Sequence, residues 1–334
     1  MNYLKFSQLI EDWYCTSKRD LPWRHSPEPY KVWLAEIVFQ QTRIAQGMGH
    51  FLRLIHRFPD VAKLATANED EVLKLWEGLG YYSRARNLHK AAKMIHRSGD
   101  FPTDYASWLA VPGVGPYTAA AISSVCFGEK VAVVDGNVMR VLSRVTLLSD
   151  DLRLSRTQDK LMRIADSLVQ KTAHPGDLNQ GLMELGALIC KPQNPDCHVC
   201  PVRDLCALYE VGEDPANYPF KSKAPAKKNR HFHFAFASYS NTVLLKRRNA
   251  KDIWQGLYQL PLIETESPPF GADAKLIESA HHILTHQKIN YYIWDVKKWS
   301  ELEMDGLEGY AHFDKNSALP ALPVPLKKFM DNLC

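Results

Sequence analysis

From about residue 5 to residue 210, apolar residues recur at intervals of three and four, the spacing of one face of an α-helix. The pattern is clearest in VWLAEIVFQQ, EVLKLWEGL, ARNLHKAAKMI and QGLMELGALI. Proline and glycine interrupt it at positions 58–60, 99–102 and 174–176, where helix boundaries are expected. The pattern predicts an all-helical first domain, residues 1–210, built from nearly ten helices.

The helical spacing ends after Cys206, and residues 211–231 have little apolar periodicity. This segment is a predicted linker. Its basic residues occur without an intervening acid and are Lys221, Lys223, Lys227, Lys228 and Arg230. Two interpretations remain open, a solvated tether and a segment that contacts DNA phosphates.

Residues 232–334 show a different pattern. HFHFAFASYS alternates with period two, VLLKRR follows after Asn241 and Thr242, and NYYIWDV is aromatic and β-branched, so all three predict strands. LIESAHHIL, residues 276–284, is predicted as a short helical stretch. The whole segment therefore predicts a small α+β domain with a mixed or antiparallel sheet.

The composition is that of a globular chain of 334 residues, 46% hydrophobic and 23% charged. A net charge of +4 is compatible with a nucleic-acid partner but does not argue for one. No run approaches the roughly 18 apolar residues of a membrane span, and Glu11 and Asp12 stand where a signal peptide would be apolar. We therefore expect a cytoplasmic protein whose seven cysteines form no disulfides in a reducing compartment.

Three of the cysteines are isolated, at positions 15, 126 and 334. The other four are Cys190, Cys197, Cys200 and Cys206, with the spacing C-x6-C-x2-C-x5-C. They follow an apolar helix in a tract whose prolines exclude regular helix, so four thiolates can converge. One short step between two longer ones favours a [4Fe-4S] cluster, with structural zinc and unligated thiols as the alternatives.

The segment LAVPGVGPYTAA, residues 109–120, places Gly113 and Gly115 between two helical stretches. Glycines there let the backbone turn tightly and expose its amides to a phosphate, and the following helix adds the positive end of its dipole. An ordinary turn between two helices is the alternative interpretation.

Two acidic residues, Glu36 and Asp135, lie in sequence segments that indicate a chemical role. Glu36 lies within KVWLAEIVFQQT, and apolar neighbours raise the pKa of a carboxyl toward the range where it can donate a proton at neutral pH. Asp135 lies in VAVVDGNVMRV, about twenty residues beyond the glycine hairpin. The alternatives are a glutamate on a helix surface and an aspartate that only caps a helix.

Four longer segments of the helical domain are similar to a known protein family. They are LPWR at 21–24, PYKVWLAEIVFQQTR at 29–43, GLGYYSRARNLHKAA at 78–92 and VPGVGPYTAAA at 111–121. Together they resemble the MutY-type adenine DNA glycosylases of the endonuclease III superfamily, over nearly the whole helical domain. The cysteine spacing is similar to the cluster loop of that superfamily. The resemblance implies a helix-hairpin-helix at about 109–121, a [4Fe-4S] loop at 190–206, and removal of adenine mispaired with 8-oxoguanine or guanine from double-stranded DNA by a monomer.

By this resemblance Glu36 would protonate adenine at N7 and later help activate water, while Asp135 would stabilise the sugar cation or capture it transiently. Tyr117 stands where related strand-cutting enzymes place a lysine for a Schiff base, so a monofunctional glycosylase is expected. Tyr117 and Asn137 would support the reacting sugar, or would hydrogen-bond only within the fold.

The resemblance also assigns DNA contacts. Residues that match the family's adenine pocket are Arg19, Leu21, Trp23, Arg24 and Glu184. Gln41 and Tyr81 match residues that enter the duplex, where they would offset the stacking lost when adenine leaves the helix. For Leu21 and Trp23, an ordinary place in the core is the stronger expectation.

WQGLYQLP, residues 254–261, resembles the C-terminal domain of the same family, which is related to MutT-type Nudix folds. The glutamate cluster of a Nudix hydrolase is absent from residues 257–290, so this domain is expected to recognise 8-oxoguanine rather than to hydrolyse a substrate. The family's Phe-Ser-His loop is matched by Leu284, Thr285 and His286. Leucine lacks a π face for stacking, so weaker or differently achieved discrimination from guanine is expected.

Two other functions remain open from the sequence. An endonuclease III-like glycosylase and lyase for oxidised pyrimidines is disfavoured by Tyr117 and by the additional domain. A DNA-binding protein without catalysis, whose cluster senses redox state, is disfavoured by the presence of both Glu36 and Asp135.

Overall fold

The computed structural model describes residues 2–222, 226–238, 240–272, 274–297 and 308–333. The chain divides into two units, which are Met1–Ala65 with Lys90–Lys223 and Thr66–His89 with Ala224–Cys334. Residues 66–89, predicted as part of the helical domain, thus cluster with the C-terminal residues. Lys223 of the predicted linker and the isolated Cys334 lie outside the described residues.

Helices occupy most of the described chain up to residue 211. In order they are α1 (Tyr3–Ser17), α2 (Pro22–His25), α3 (Pro29–Phe39), α4 (Ile44–Arg57), α5 (Val61–Thr66), α6 (Glu69–Trp76), α7 (Ser83–Ser98), α8 (Tyr105–Leu109), α9 (Pro116–Phe127), α10 (Gly136–Val145), α11 (Ser155–Val169), α12 (Pro175–Leu188) and α13 (Ala207–Val211). Nine of these described helices have eight or more residues, which confirms the predicted helical domain. No helix in the described ranges has the length and apolar character needed to cross a membrane.

A large part of the first unit's core lies where α1, α10, α11 and α12 meet. Phe6, Ile10, Val141, Leu161 and Leu182 are fully buried there. Burial stabilises each such side chain by about 1.5–3 kcal/mol relative to exposure. Because proline begins α12 as well as α2, α3 and α9, these helices start at defined residues, where the missing proline N–H leaves no hydrogen bond unmade.

Strands and one further helix make up the described C-terminal part of the chain. They are β1 (Lys228–Phe236), β2 (Thr242–Arg247), β3 (Tyr258–Gln259), β4 (Leu262–Glu264), β5 (Lys275–Ile283), β6 (Gln287–Asp295), β7 (Ala311–Asp314) and α14 (Val324–Asp331). One sheet has the order β4-β1-β6-β5, in which β1 and β6 are parallel and the other pairs antiparallel. A second sheet has the order β3-β2-β7. The predicted α+β domain with a mixed sheet is confirmed.

The prediction of a short helix at LIESAHHIL is wrong, because residues 275–283 form strand β5. β5 pairs antiparallel with β6, and the turn between the two strands has only three residues, 284–286. The local spacing of apolar residues in 276–284 does not reveal that this segment pairs with β6. Its hydrogen bonds to β6 outweigh its weak helical preference.

The predicted linker, residues 211–231, is partly regular structure. β1 begins at Lys228 and so includes the last four linker residues. Tyr218 is buried, and its backbone carbonyl accepts a hydrogen bond from Arg144 Nε at 3.0 Å. The first part of the linker is therefore anchored on α10 instead of being a solvated tether along its whole length.

Arg230 of the linker has its charge matched within the second unit. Its guanidinium forms ion pairs with Asp252 at 2.8 Å and with Glu264 at 2.7 Å. Hydrogen bonds to Glu264 and Asp252 raise the pKa of Arg230 above its usual value. The interpretation of this segment as a phosphate contact therefore depends on its lysines.

Candidate active site

A cavity of about 710 Å³ lies among α2, α3, α9, α10 and α12 of the first unit. The predicted functional residues that line it are Arg19, Leu21, Trp23, Arg24, Glu36, Gln41, Gly115, Tyr117, Asp135, Asn137 and Glu184. Gly113, Tyr81 and the loop at 284–286 do not line it. All of the predicted catalytic and adenine-pocket residues, which are distant in the sequence, thus line one cavity.

Glu36 lies in the middle of α3, among buried neighbours, and its own side chain is partly buried at the cavity wall. Burial raises the pKa of Glu36 to about 7. Asp135 also raises this pKa, whereas a hydrogen bond from Tyr117 and the charge of Arg24 lower it. A carboxyl with such a pKa is partly protonated at neutral pH and can donate a proton there.

Asp135 is the capping residue of α10. Its Oδ1 accepts hydrogen bonds from the backbone N–H groups of Asn137 at 2.9 Å and Val138 at 2.7 Å. Its Oδ2 accepts one from the Asn137 side-chain amide at 2.8 Å. The capping role left open by the sequence is therefore present, and the same carboxylate lines the cavity. Capping holds Asp135 in one orientation.

Asn137 connects Asp135 to the neighbouring helix α12. Its Oδ1 accepts a hydrogen bond from Arg140 Nη2 at 2.9 Å, and the same Nη2 donates to the Gly186 carbonyl at 2.6 Å. Gly186 allows this close approach, because an added Cβ would lie 2.6 Å from Asn137 Cβ. A side chain at position 186 would therefore displace the group that holds Asp135.

Tyr117 lies in the first turn of α9. Its hydroxyl is 3.1 Å from Met183 Sδ and is also a hydrogen-bond partner of Glu36. Burial, together with the charges of Glu36 and Asp135, raises the pKa of Tyr117 well above its usual value. The side chain is therefore a neutral phenol that can donate a hydrogen bond within the cavity.

Glu184 of α12 binds two arginines beside the cavity. Arg19 donates to Oε1 from Nε at 2.7 Å and to Oε2 from Nη2 at 2.6 Å. Arg24 donates to the same two oxygens at 3.1 Å and 3.0 Å. Burial alone would raise the pKa of Glu184, but the hydrogen bonds from Arg19 and Arg24 lower it to about 2. Glu184 is thus a charged anchor that orients both arginines.

Leu21 and Trp23 are core residues that also line the cavity. Their exposed fractions are 4% and 8%, so the expected core position is found. The Trp23 ring lies 4.9 Å from the ring of Phe39 and 5.1 Å from that of Phe51. Both side chains form apolar wall next to the charged groups.

Gln180 also lines the cavity, and sequence reasoning misses it. Its Oε1 accepts hydrogen bonds from the Tyr14 hydroxyl at 2.5 Å and from Arg24 Nε at 2.9 Å. Gln180 precedes Glu184 by four residues, so the two lie on one face of α12. That spacing is the sequence signal that could have identified it.

Gln41 and Tyr81 share a rare backbone conformation and an exposed side chain. Their φ angles are +53° and +48°, values that few residues other than glycine adopt. Such strain is concentrated at binding and active sites. Gln41 follows α3 in the first unit, whereas Tyr81 precedes α7 in the second unit, where its hydroxyl hydrogen-bonds to the Thr285 hydroxyl.

The glycine hairpin joins α8 to α9 through residues 110–115. Gly113 has a φ of +81°, which glycine adopts without strain. Gly115 caps α9, and a Cβ added there would meet no described atom within 4 Å apart from its chain neighbours. The space beside Gly115 at the N-terminus of α9 is therefore open.

The four clustered cysteines line a second cavity of the first unit, of about 290 Å³. They are Cys190, Cys197, Cys200 and Cys206. Burial raises the pKa of Cys200 to about 12, and the charges of the other three cysteines add to the shift. Within the described residues, no three His, Cys, Asp or Glu side chains are close enough to hold one metal ion. Four cysteines that line one cavity supply the thiolate ligands that a [4Fe-4S] cluster takes.

Arg144 of α10 organises the loop that carries these cysteines. It donates hydrogen bonds to the carbonyls of Lys191 at 2.7 Å, Pro192 at 3.1 Å and Pro215 at 2.8 Å. Its Nη1 also lies 3.4 Å from Cys190 Sγ. These contacts hold the cysteine loop and part of the linker against α10.

The turn between β5 and β6 consists of Leu284, Thr285 and His286, as the predicted loop requires. Thr285 and His286 are exposed. Leu284 is partly buried and packs against the hydrophobic core of the C-terminal strands. The two polar side chains are therefore accessible, while the leucine anchors the turn.

Three family models match separate parts of the chain. Residues 34–171 match the HhH-GPD superfamily of base excision DNA repair proteins. Residues 190–206 match the iron-sulfur binding domain of endonuclease III, and residues 233–332 match the NUDIX domain. The second match coincides with the cysteine-lined cavity, so the cofactor is a [4Fe-4S] cluster and not zinc.

Known proteins with similar sequences have one activity in common. The chain is 30% identical to the adenine DNA glycosylase of Buchnera aphidicola subsp. Schizaphis graminum, over 99% of this chain and 99% of that protein. It is 43% identical to the adenine DNA glycosylase of Homo sapiens, over 60% of this chain and 39% of that protein.

Solved structures show the same helical fold. A thermostable thymine-DNA glycosylase matches with a TM-score of 0.55 and 29% identity, over 63% of this chain and 98% of that chain. Endonuclease III in a non-covalent DNA complex matches with a TM-score of 0.52 and 21% identity, over 64% of this chain and 98% of that chain. The helical part of the chain therefore has the endonuclease III-like fold.

Proposed function

Because this chain belongs to the adenine DNA glycosylase family, an enzyme family of base excision repair, we propose that it removes adenine opposite 8-oxoguanine or guanine in double-stranded DNA. One observation carries the proposal. Glu36, with a pKa of about 7, stands beside Asp135 and Tyr117 in a cavity of about 710 Å³. An acid that can be protonated at neutral pH and a second carboxyl are what hydrolysis of a glycosidic bond requires.

Glu36 acts as the general acid in this proposal. Cleavage of the bond between sugar and adenine leaves an oxocarbenium-like sugar and a poor leaving base. Protonated Glu36 would give its proton to adenine N7, and the resulting carboxylate would accept a proton from the attacking water. A pKa of about 7 keeps both forms populated at neutral pH.

Asp135 stabilises the sugar cation or captures it transiently. Its hydrogen bonds from Asn137 and Val138 hold the carboxylate in place before substrate arrives. A preorganised charge stabilises a developing cation without reorganisation during the reaction. Tyr117 and Asn137 support the two acids by hydrogen bonds.

The adenine pocket consists of the predicted set with Gln180 added. Leu21 and Trp23 supply its apolar wall, while Arg24 and Gln180 present polar atoms that are held by Tyr14 and Glu184. Flat apolar surface with a few fixed polar groups is the usual composition of a pocket for a small aromatic ligand.

We expect the enzyme to be monofunctional. A lyase needs an amine that forms a Schiff base with the sugar. No lysine is among the described residues that line the cavity, and Tyr117 follows the glycine hairpin. Release of adenine should therefore leave the DNA strand uncut.

DNA binding is assigned to four residues. Gln41 and Tyr81 would enter the duplex, because both are exposed and held at positive φ. Gly113 and Gly115 would bring the backbone amides at the start of α9 to a phosphate. Filling the vacated space offsets the unpairing of adenine, which costs about a few kcal/mol.

The four cysteines at 190, 197, 200 and 206 are the proposed ligands of the [4Fe-4S] cluster. The cluster supplies structure to the loop and takes no part in bond cleavage.

Thr285 and His286 are proposed to read the base opposite adenine, since both are exposed on the turn. We further propose that the enzyme is a monomer and that it works in the cytoplasm, where thiols remain reduced.

A single-turnover assay of adenine release tests the proposal. Duplexes with adenine opposite 8-oxoguanine, guanine or thymine are compared for wild type, Glu36→Gln, Asp135→Asn and the exposed control Glu28→Gln. We expect release from the first two duplexes, a loss of roughly 10²–10⁴-fold in the two cavity variants, and wild-type rates for the control.

The outcomes separate the parts of the proposal. If wild type releases no adenine opposite 8-oxoguanine or guanine, the proposed substrate is wrong. Comparable rates in Glu36→Gln would overturn only the assignment of the acid. Strand cleavage without alkali or heat, or trapping by borohydride, would overturn the monofunctional assignment.

A further inference from the structure

The second unit contains a cavity of about 190 Å³ next to the β5–β6 turn. Its lining includes Thr285 and His286 of that turn, and Tyr81 from the segment before α7. The Tyr81 and Thr285 hydroxyls hydrogen-bond to each other there. The residues proposed to read the base opposite adenine and one of those proposed to enter the duplex thus share one cavity.

Leu284 of that turn also lines the cavity but supplies no aromatic surface to it. Leu284 stands in the aromatic position, and its side chain packs against the core. Its backbone is held on both sides, because its N–H donates to the Gln287 carbonyl at 2.9 Å and its carbonyl accepts from Lys227 Nζ at 2.8 Å. A base in the cavity needs a π face from another segment.

Trp254 supplies an aromatic ring to this cavity from a different segment. It lies in the loop between β2 and β3 and lines the same cavity. Its ring packs edge-on against Phe232, with centroids 5.7 Å apart, and lies 6.1 Å from the ring of His282, another lining residue. Burial lowers the pKa of His282, so that imidazole is neutral at neutral pH.

Trp254 is held in a conformation that its own residue type disfavours. Its φ is +60°, which is rare for a bulky side chain. Contacts on both sides maintain it: Arg248 Nε donates to the Ile253 carbonyl at 3.0 Å, and Arg86 donates to the Gln255 carbonyl. Strain that the surroundings enforce is typical of a residue with a binding role.

We propose that Trp254, backed by Phe232 and flanked by His282, is the stacking surface for the base opposite the target adenine. It supplies the π face that Leu284, in the position of the family's aromatic residue, does not supply. The inference rests on the proposed function, because it assumes that this cavity receives the opposite purine. Stacking favours any purine there, while the Thr285 hydroxyl distinguishes 8-oxoguanine from guanine.

Binding measurements on four versions of one duplex test the inference. Each duplex carries an adenine nucleotide fluorinated at the sugar 2′ carbon, which resists cleavage, opposite 8-oxoguanine, guanine, thymine or an abasic site. Full-length wild type, Trp254→Leu, Trp254→Phe and Trp294→Leu are compared. Trp294 is the matched control, since its partly buried indole stacks on His233 in the same sheet but does not line the cavity.

We expect Trp254→Leu to weaken binding opposite 8-oxoguanine and guanine by about tenfold, a size typical of one stacked base. Binding opposite the abasic site should be unchanged, because no base remains to stack. Trp254→Phe should retain most of the affinity, since it keeps a π face. Trp294→Leu should bind all four duplexes as wild type does.

Three results would overturn the inference. They are an unchanged affinity of Trp254→Leu opposite both purines, an equal loss opposite the abasic site, and the same losses in Trp294→Leu. A loss in Trp254→Phe as large as in Trp254→Leu, matched by a lower melting temperature, would also count against it. If wild type itself binds the abasic and 8-oxoguanine duplexes equally, opposite-base recognition fails, and that is a failure of the proposed function.

Discussion

The Glu36 carboxyl shows how a single residue is adapted at some expense of stability. Burial raises its pKa to about 7, so removing the proton in the folded state is unfavourable at the pH where most surface acids are ionised. Asp135 adds to the shift, while Tyr117 and Arg24 oppose it. The balance leaves a group that is poised to exchange a proton near neutral pH.

The rate of adenine release should depend on this protonation. We expect the single-turnover rate constant to be highest below pH 7 and to fall about tenfold per pH unit above it, because only protonated Glu36 donates. Rates measured from pH 5 to pH 9 under saturating enzyme test this. A flat profile between pH 6 and pH 9 would contradict the role of Glu36 as the acid.

The thermal stability of Glu36→Gln should also depend on pH. The folded pKa of Glu36 lies above the unfolded value of 4.5, so its favourable contribution is full below pH 4.5 and is lost as the pH rises through 7. Glutamine does not lose a proton. The variant should therefore gain stability relative to wild type with rising pH, by at most about 3 kcal/mol at pH 9.

Melting temperatures from pH 5 to pH 9 measure this gain. Asp12→Asn, at an exposed position of α1, is the control for removal of a carboxylate that does not line the cavity. The expected link between burial and pKa fails if Glu36→Gln and wild type differ equally at pH 5 and pH 9.

Gln41 allows function and stability to be separated. Its φ of +53° is strained for glutamine and natural for glycine. We expect Gln41→Gly to melt at the wild-type temperature or slightly above, since relieved strain is worth about 1 kcal/mol. Adenine release from duplex DNA should be slower, because the wedge is lost. A variant that is both less stable and fully active would show that Gln41 has a structural role only.

At the scale of elements, helix termini and close helix contacts position the chemistry. Asp135 caps α10, and Tyr117 lies near the N-terminus of α9. Glu184 of α12 holds Arg19 and Arg24. Each group is thus fixed by an element boundary or by a partner on another segment. Small movements of one helix would change the geometry of the whole cavity.

The hairpin between α8 and α9 gives a prediction with an internal control. Gly113→Ala should lower the melting temperature, because alanine at a φ of +81° is strained by about 1 kcal/mol or more. Gly115→Ala should leave stability near wild type, since its Cβ has open space, yet weaken DNA binding by obstructing a phosphate. Unfolding curves and binding at two salt concentrations distinguish the effects. Unchanged DNA affinity in Gly115→Ala would exclude a phosphate contact there.

Element prediction from sequence succeeds where the pattern is local. The apolar spacing in α3, α7 and α12 predicts those helices because each helix forms its hydrogen bonds within itself. β5 is predicted wrongly, since its hydrogen-bond partners lie in β6. Arg230 is similar: Glu264 becomes its neighbour when β1 and β4 pair, and Asp252 reaches it from the loop between β2 and β3.

At the scale of the molecule, residues 66–89 belong with the C-terminal strands. Arg247 forms ion pairs with Glu69 at 2.7 Å and Asp70 at 3.2 Å. Arg86 donates hydrogen bonds to the Gln255 backbone carbonyl and, at 3.2 Å, to the Gln255 side-chain oxygen. These bonds connect α6 and the start of α7 to the C-terminal part of the same unit.

Loss of these bonds should loosen that part of the second unit. In Arg86→Ala combined with Arg247→Ala, we expect amide hydrogen exchange in residues 69–86 to be roughly tenfold faster, because several hydrogen bonds are removed. Lys160→Ala, which removes an exposed ion pair with Asp150, is the control and should leave exchange there unchanged. Wild-type exchange rates in the double variant would show that the two arginines do not hold the segment.

The sequence by itself determined the features that are local along the chain. These are the helical first part, the strand-rich second part, the cysteine spacing and the apolar surroundings of Glu36, and each depends on neighbours within a few residues. Only the tertiary structure decided which groups meet. Gln180 and Trp254 acquire their proposed roles from partners distant in the sequence, and Leu284 packs, partly buried, against the core. The physical reason is that burial and hydrogen bonding between distant segments depend on packing, which local patterns do not encode.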